Sequence, residues 1–440
     1  MEKADLILTA DYLLTMEEDT GLIGAGACAV RDGIIADFGP SYEIEKKYTA
    51  PDVLGGKGYV LMPGLINTHT HAPMVFLRGI ADDLPLREWL EKHIWPLEEK
   101  WLGPEFIYDA TRLACLEMLK AGITTYNDMY FYEREAAGAI KELGMRAVLG
   151  SGILDFPTKI AKTRDEYFAR AEENIKFFLD NGGLIRPAIA PHALYTCGPE
   201  CQKRAAQMAE EYGIEMHLHL SETKWEAEEI KKLYGMSPVK FLDHLGVLSE
   251  RVLAAHCVWV DDEEIKLLAK RNVGVAHCVE SNLKLASGIA PVDRMLKAGV
   301  RVTFGTDGAA SNNDLNIFGE MGTAAKLHKA ASGDPTALDA KTALKMATIW
   351  GAQAMGLGEI TGSIKRGKSA DLILLNIDKP HLTPVYNIYS QLVYAAGRSD
   401  VEAVVIDGKL LVRDGKLLGA SERDILGKAR EWAEKIKGSI

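Results

Sequence analysis

The sequence lacks several patterns that would place it in common classes of protein. Its six cysteines include no C-x-x-C pair, and we expect them to be small, buried, apolar residues in a reducing compartment. No apolar run reaches the ~18 residues that a membrane span requires. The first residues, Met1–Asp5, are charged and lack the apolar core of a signal peptide. These absences predict a cytoplasmic protein.

The chain also has fewer positive than negative side chains. The chain has 51 Lys and Arg against 62 Asp and Glu, a net charge of −11 at pH 7. Because an acidic surface repels phosphate backbones, nucleic acid is not expected as a partner. The H-x-E…P-C-x-x-C signature of zinc-dependent nucleic-acid deaminases is missing as well. Neither a membrane nor a nucleic-acid surface is therefore expected as a partner.

No G-x-G-x-x-G motif opens a helix after a predicted strand, which disfavours a doubly wound dinucleotide-binding sheet. Strand-like apolar runs instead alternate with helical segments, which indicates parallel βαβ units. The runs are Tyr59–Asn67, Gly122–Phe131, Arg146–Ile153, Ile185–Leu194, Glu215–Glu222, Val252–Val258, Val273–Ser281 and Arg301–Ala309. Eight such units over about 300 residues predict an α/β fold, a (β/α)8 TIM barrel.

The two ends of the chain have a different pattern, that of β-hairpins with Asp-Gly turns. The segments are Ala4–Met16, Gly26–Phe38, Ala370–Asn376, Val401–Asp407 and Lys409–Arg413. We expect both ends to pair into one small β-sandwich beside the barrel. The predicted domains are residues 1–60 and 362–420 for the β-sandwich, 61–361 for the metal-dependent barrel and 421–440 for a C-terminal amphipathic helix.

One local motif is set aside. Residues Gly362–Ser369 fit the phosphate-binding pattern G-x-x-x-x-G-K-[ST]. That loop needs a helix after it, whereas the strand-like run Ala370–Asn376 follows here. We interpret the segment as a hairpin turn with exposed cations.

Histidines dominate the predicted site. His69 and His71 are two residues apart at the end of a predicted strand, so their side chains share one face, as two metal ligands must. Of the eleven histidines, seven fall at predicted strand ends: His69, His71, His192, His217, His219, His256 and His277. Barrel enzymes place their chemistry at that end, so a shared metal and its surroundings are predicted there. The others, expected to be surface or packing residues, are His93, His244, His328 and His381.

The pattern resembles the amidohydrolase superfamily, and within it the 5′-methylthioadenosine/S-adenosylhomocysteine deaminases. The matching segments are Pro63–His71, His219–Glu222, Ala255–Cys257, Ser281–Lys284, Gly305–Asn312 and Gly367–Leu372. The resemblance implies one divalent metal per chain, usually Zn²⁺ with Fe²⁺ as the alternative. It implies that the ligands are His69, His71, His219 and Asp307. Binuclear members carry a lysine at the end of strand 4, where this chain has Pro191 and His192, so a single metal is expected.

The same resemblance implies hydrolytic deamination of an adenine nucleoside. Hydroxide attacks C6 while Glu222 protonates ring N1 and Asp307 takes up the proton of the attacking water; His256 hydrogen-bonds the hydroxide. Ammonia and an inosine analogue are the products. Glu222 lies three residues after His219, on the opposite face of an extended strand. The strand is therefore expected to end or bulge near Ser221.

The resemblance also implies substrate contacts beyond the catalytic residues. Trp89 and Glu98 are expected to contact the nucleoside, Glu98 through the ribose hydroxyls, and His192 the purine or ribose; Glu222 and Asp307 complete the set. Related deaminases often place an arginine near the end of strand 3, where this chain has Gly150–Gly152. We therefore expect a preference for adenosine, methylthioadenosine or 5′-deoxyadenosine over S-adenosylhomocysteine.

Two other interpretations remain open at this point. One keeps the site and changes the substrate to another amino-heterocycle, such as guanine, cytosine, a pterin or an s-triazine. The other is a non-catalytic metal-binding protein, which would have no use for Glu222 and Asp307 as an acid and base pair. The resemblance further suggests a homo-oligomer, with no interface that the sequence identifies.

Overall fold

The computed structural model describes residues 1–439, and its central feature is a nearly closed barrel. The barrel strands are β7 (Leu65–Thr70), β8 (Ile123–Tyr130), β9 (Arg146–Ile153), β10 (Ile185–Pro191), β11 (Glu215–Leu220), β12 (Val252–His256), β13 (Gly274–His277) and β14 (Arg301–Phe304). These eight strands are parallel and follow one another in sequence order. Strands such as β8 are buried along their whole length, as expected for a sheet covered by helices. The predicted fold class is confirmed.

Side-chain hydrogen bonds join the first barrel strand to the last. Thr68 Oγ1 of β7 lies 2.8 Å from Thr303 Oγ1 of β14 and 2.9 Å from the carbonyl oxygen of Phe304. Asn67 Nδ2 donates to Thr306 Oγ1 at 2.8 Å. Residues that follow β14 are thereby brought next to residues at the end of β7.

The limits of several strands differ from those of the apolar runs. The run Tyr59–Asn67 divides at Gly64 between β7 and a strand of the second sheet. A Cβ atom at Gly64 would lie 2.1 Å from the side chain of Thr124, so the close approach of β8 requires glycine there. The run Val273–Ser281 ends at His277 because a short helix begins at Val279, and the run Arg301–Ala309 ends at Phe304.

Helices lie between consecutive barrel strands, and others precede or follow the barrel in the chain. They are α1 (Ser41–Lys47), α2 (Leu86–Trp89), α3 (Trp95–Trp101), α4 (Pro104–Lys120), α5 (Glu133–Leu143), α6 (Arg164–Asn181), α7 (Pro199–Tyr212), α8 (Lys224–Tyr234), α9 (Pro238–His244), α10 (Asp262–Lys270), α11 (Val279–Lys284), α12 (Val292–Lys297), α13 (Ile317–Ser332), α14 (Ala340–Met346), α15 (Ile349–Ala354), α16 (Ile388–Tyr394) and α17 (Glu422–Lys437). A π-helix, Leu90–Ile94, joins α2 to α3, and short 3₁₀ turns span Ala72–Leu77, Pro380–Leu382 and Arg398–Asp400. In the described part of the chain, none of these helices has the length and apolar character that a bilayer crossing requires.

Both ends of the chain contribute to a second sheet, as expected. In bonding order its strands are β18 (Lys416–Leu417), β17 (Lys409–Arg413), β16 (Val401–Ile406), β15 (Leu372–Asn376), β6 (Asp52–Pro63), β2 (Leu6–Leu14), β3 (Leu22–Arg31) and β4 (Ile34–Pro40). The two ends meet where β15 pairs antiparallel with β6. A short parallel pair, β1 (Glu2–Lys3) and β5 (Tyr48–Thr49), lies beside it.

The second sheet buries alternate residues in two different cores. Leu372 and Leu374 of β15 belong to a core within the sheet, whereas Ile373 and Leu375 pack with the barrel. This period-two alternation attaches the sheet to the barrel through one face. The domain boundaries after residues 60, 361 and 420 stay a prediction, since β6 continues to Pro63 across the first of them.

The C-terminal helix agrees with its predicted structure, whereas the phosphate-loop-like segment departs from it in one respect, because Lys368 is buried rather than exposed. Helix α17 begins after Ser421, whose side chain accepts a hydrogen bond from Asp424 N, and its Trp432 Nε1 donates to Asp109 Oδ2 at 2.9 Å. Ile440, the end of the predicted helix, lies outside the described residues. The segment Gly362–Ser369 is followed by strand β15, so it lacks the helix of a phosphate-binding loop.

Candidate active site and metal centre

The four predicted metal ligands come together at the carboxyl end of the barrel. His69 and His219 lie in β7 and β11, while His71 and Asp307 follow β7 and β14. Asp307 Oδ1 is 3.4 Å from His69 Nε2 and 3.3 Å from His71 Nε2. The Nε2 atoms of His71 and His219 are 3.2 Å apart. These atoms therefore face one point.

The second nitrogen of each of two rings is held by a backbone carbonyl. His71 Nδ1 donates to the oxygen of Met129 at 2.7 Å, and His219 Nδ1 donates to the oxygen of His192 at 2.8 Å. Because a carbonyl oxygen can only accept, each Nδ1 must carry the proton. The Nε2 atom of each ring is then left to face Asp307, the arrangement that metal-binding histidines adopt.

His69 supplies the test of whether the site suits a metal. Its Nδ1 lies 2.8 Å from His217 Nε2, and His217 in turn contacts Asn127 Nδ2 at 3.0 Å. Its Nε2 is buried and makes no hydrogen bond within residues 1–439. Burial lowers the pKa of His69 to about 4, so the ring is neutral at pH 7. A buried ring nitrogen without a hydrogen-bond partner is costly, whereas imidazole nitrogens grouped with a carboxylate suit a divalent cation.

His256 lies beside the predicted metal ligands, as its predicted hydrogen bond to the hydroxide requires. Ligand atoms of His69, His219, His256 and Asp307 all lie within 4.8 Å of one another. The Nδ1 of His256 is 2.8 Å from Asn282 Oδ1, an acceptor, which leaves Nε2 facing the group. His256 is thus placed either to bind the metal or to hydrogen-bond a ligand of it.

Asp307 is held by neighbours that the sequence motifs already contained. Ser281 Oγ and Ser311 Oγ donate to Asp307 Oδ2 at 2.6 and 2.8 Å, and Gly308 N donates to Oδ1 at 2.8 Å. Burial by itself would raise the pKa of Asp307, but the two imidazoles in contact with it outweigh burial and hold the pKa well below its usual range. Asp307 is therefore present as a carboxylate with a fixed orientation.

The backbone takes left-handed conformations at three places around the site. Ser221, His256 and Asp307 have φ angles of 52°, 74° and 61°. Residues other than glycine adopt such angles at a cost and tend to do so at functional sites. These residues lie at or just after the ends of β11, β12 and β14. Residue type gives no sign of them because none is glycine; only the bend near Ser221 was expected, from the position of Glu222.

Glu222 reaches the site through one of these bends. Strand β11 ends at Leu220, as expected near Ser221, and the Glu222 side chain is buried. Its Oε2 lies 3.8 Å from His256 Nε2, and Ser287 Oγ is 3.4 Å from its Oε1. Burial raises the pKa of Glu222 above its usual value, which favours the protonated, proton-donating form.

A cavity of about 600 Å³ opens onto these residues. The predicted substrate contacts Trp89, Glu98 and His192 all line it. Trp89 belongs to α2 and is 4% exposed, so it packs against its neighbours as well as lining the cavity. Burial, with the neighbouring imidazoles adding to it, lowers the pKa of His192 to about 3, so this ring is neutral.

Tyr130 is a site residue that sequence reasoning missed. Its hydroxyl donates to Glu98 Oε1 at 2.5 Å. Burial raises the pKa of Glu98 to about 7, although the bond from Tyr130 opposes that rise. Tyr130 is the last residue of β8, and this position at a strand end was the signal available to find it.

The two arginines nearest in sequence to Gly150–Gly152, Arg146 and Arg164, are both engaged by other residues. Arg146 begins β9 at the opposite end of the barrel, and Arg164 Nε donates to Asp155 Oδ1 at 2.5 Å. Lys159 and Lys162 line the cavity instead. The amino group of Lys159 donates to the carbonyl oxygen of Lys100, and that of Lys162 to the carbonyl oxygen of Thr158.

His277 departs from the predicted gathering of seven histidines. Its Nε2 lies 2.9 Å from Nε2 of His328 in α13, and both rings are buried. His328 is therefore a packing residue bound to His277. The role of His277 was left open by the sequence, and the structure shows that β13 directs it towards α13.

Comparisons with known proteins agree with the geometry. Residues 60–411 match the profile described as Amidohydrolase family. A 5-methylthioadenosine/S-adenosylhomocysteine deaminase of Thermodesulfovibrio yellowstonii is 52% identical over 98% of this chain and 99% of its own. A 5′-deoxyadenosine deaminase of Methanosarcina mazei is 44% identical over 99% of each. The crystal structure of an adenosine deaminase from Xanthomonas campestris with bound zinc superposes with a TM-score of 0.97 at 42% identity, covering 99% of both chains.

Proposed function

The chain belongs to the amidohydrolase family and is a hydrolytic enzyme, and we propose that it deaminates adenine nucleosides with one bound zinc ion. The overall reaction converts the nucleoside and water into ammonia and the inosine analogue. One observation carries the proposal: buried Glu222 lies beside the gathered metal ligands at a cavity of about 600 Å³. That volume is typical of small-molecule sites, and a metal-storage site has no use for a buried acid.

His69, His71, His219 and Asp307 are the proposed ligands of the metal. A divalent cation in such a set lowers the pKa of a water molecule to roughly 7 and so makes hydroxide available at neutral pH. The buried Nε2 of His69, which lacks a hydrogen-bond partner among residues 1–439, supports this assignment.

Glu222, Asp307 and His256 divide the proton transfers. Glu222 donates its proton to purine N1, so that negative charge does not accumulate on the ring when C6 is attacked. Asp307 accepts the proton of the attacking water and delivers it to the leaving amino group. The proton of the new C6 hydroxyl returns to Glu222, and ammonia leaves. His256 stabilises the charge that develops on oxygen.

Trp89, Glu98 and His192 orient the nucleoside. Trp89 offers a ring for stacking, and Glu98, fixed by Tyr130, accepts the ribose hydroxyls. Arg146 and Arg164 are both engaged in ion pairs. The proposal therefore includes a preference for neutral 5′ groups over a homocysteine tail. Lys159 and Lys162 line the cavity, and binding of the homocysteine carboxylate by these cations would reverse that preference.

An ammonia-release screen of purified protein tests the proposal. Adenosine, methylthioadenosine, 5′-deoxyadenosine and S-adenosylhomocysteine are compared with guanine, cytosine and an s-triazine, and bound metals are measured in the same sample. We expect ammonia from the adenine nucleosides, about one zinc per chain, and the highest kcat/KM with a neutral 5′ group.

Three results would count against parts of this proposal. Activity on guanine, cytosine or triazine alone would replace the nucleoside with another amino-heterocycle. Iron as the bound metal of active protein would replace zinc. A higher kcat/KM for S-adenosylhomocysteine would refute the argument from the engaged arginines.

A further inference from the structure

The turn that carries Glu222 is bound from two sides. Ser221 has a φ angle of 52° and a buried side chain. Its carbonyl oxygen accepts hydrogen bonds from Val258 N at 3.0 Å and Trp259 N at 2.9 Å, both just beyond β12. These bonds fix the carbonyl group of Ser221. The backbone N–H groups of the turn need a separate acceptor, because the hydrogen bonds between β11 and its neighbouring strands have ended.

Glu226 provides that acceptor. It lies in the first turn of α8 and is 1% exposed. Its Oε1 accepts from Ser221 N at 3.0 Å, and its Oε2 accepts from Glu222 N at 2.8 Å. One carboxylate thus binds two successive backbone N–H groups of the turn.

The arrangement is a modified helix cap. Thr223 is the N-cap of α8, and its side chain accepts from Glu226 N at 3.2 Å, as in a capping box. In a standard capping box, the glutamate side chain would return to the N-cap nitrogen. Here it reaches one and two residues further back, to Glu222 and Ser221. The cap therefore acts on the residue beside the metal ligands as well as on the helix.

We infer that Glu226 is a positioning residue, which holds the left-handed turn at Ser221 and so directs Glu222 at the substrate. This inference rests on the proposed deaminase function. The carboxylate is well suited to the task because both of its oxygens can accept. An amide offers one oxygen, and its NH₂ group would face one of the two backbone donors whichever way it is turned.

Glu264 offers a matched control one βα unit further along the chain. It is 2% exposed and lies in the first turn of α10, which follows β12. Its Oε2 accepts from Asp261 N, the N-cap of that helix, at 2.9 Å. A glutamine can keep this single bond, and the bond does not reach a residue of the proposed site.

The test compares Glu226→Gln and Glu264→Gln in the full-length, metal-loaded protein. We expect Glu226→Gln to lower kcat by about 10- to 100-fold with KM changed by less than about threefold, since misplacing a catalytic group slows the chemical step. Glu264→Gln should change kcat by less than about threefold, whatever its effect on Tm.

A glycine at position 221 provides a second measure. Glycine adopts positive φ without steric cost, so the turn needs less support from Glu226. In the Ser221→Gly background, we expect the loss caused by Glu226→Gln to be about fivefold smaller than in the parent. Equal kinetic losses for the two glutamine variants, or an unchanged loss in the glycine background, would overturn the inference.

Crystal structures of the glutamine variants separate this inference from the proposed function. If the parent protein releases ammonia from no nucleoside, the proposed function fails. The claim that Glu226 holds the turn at Ser221 is still tested, by comparing the conformation of that turn in the variants. A shifted Ser221 φ and a displaced Glu222 in Glu226→Gln alone would support it. An unchanged turn would refute it.

Discussion

The two ends of the barrel both bury charged side chains, but they differ in whether the charges are matched. At the amino end, Arg146 Nε and Nη2 donate to the two oxygens of Asp371 at 2.6 and 3.1 Å, and Nη2 also donates to Ser369 Oγ. At the carboxyl end, imidazole nitrogens and a carboxylate face one another, and His69 Nε2 has no partner among residues 1–439.

This difference teaches how a buried polar group can be assigned to structure or to function. Donors that meet acceptors form a closed network, and nothing further is needed for them to be stable in the interior. Acceptors that meet acceptors at a cavity are stable only when a cation or a proton joins them. The amino end accordingly connects the barrel to the second sheet, and the carboxyl end holds the proposed site.

Removing Asp307 is the strongest way to test this contrast. We expect Asp307→Asn to lower kcat/KM by at least about 10³-fold, because a metal ligand and the acceptor of the water proton are lost together. Ammonia release and metal content measured on the same sample check this. As a control, chelator-treated parent protein should regain activity when Zn²⁺ is added. More than about a tenth of the parental activity in Asp307→Asn would contradict the assignment.

The next largest effect is expected from Glu222→Gln. A glutamine keeps the shape but has no proton to give, so kcat should fall by about 10² to 10⁴ while bound metal is retained. Since burial raises the pKa of Glu222, the protonated form persists above the usual range of a carboxyl group. The parental kcat should therefore fall as pH rises through that raised pKa, and the residual activity of the variant should lack this decline. A variant with parental kcat, or with the same alkaline decline, would exclude Glu222 as the acid.

The smallest effect on activity, and the largest on stability, should follow from Arg146→Met. Leaving Asp371 buried and unpaired should lower the free energy of unfolding by about 3–5 kcal/mol. The folded fraction should keep its kcat/KM within about twofold, because Arg146 lies at the far end of the barrel. Chemical denaturation and kinetics below the transition measure both. The added substitution Asp371→Leu should recover part of the stability. A large loss of kcat/KM in the folded variant would show that the two ends are coupled.

Local pattern predicted much of the fold. Strand β9 has the predicted limits, Arg146–Ile153, because its apolar run is bounded by a turn and a loop. The predicted limits of β13 and β14 were too long, since apolar residues continue into α11 after His277 and into the loop after Phe304. Apolar residues serve strands, short helices and buried loops alike, so hydrophobicity by itself does not mark where a strand stops.

The site could be predicted where the spacing of residues along one strand decides the direction of their side chains. His69 and His71 face the same point because they are two residues apart at the end of a strand. The contact between Tyr130 and Glu98 was not predictable, because it joins β8 to a helix that precedes α4 in the chain. The partner of His277 could not be predicted for a related reason, since His328 lies on a helix 51 residues away.

The sequence by itself determined which residue types stand at the strand ends, and with them the fold class and the kind of chemistry. These follow from periodicity and from residue spacing, which act over a few residues. The folded chain was needed to show which histidines meet, which φ angle the expected bend at Ser221 adopts, and that Glu226 accepts hydrogen bonds from that turn. Those features arise where separate βα units pack against one another, and packing can hold a costly backbone conformation that local preferences would reject.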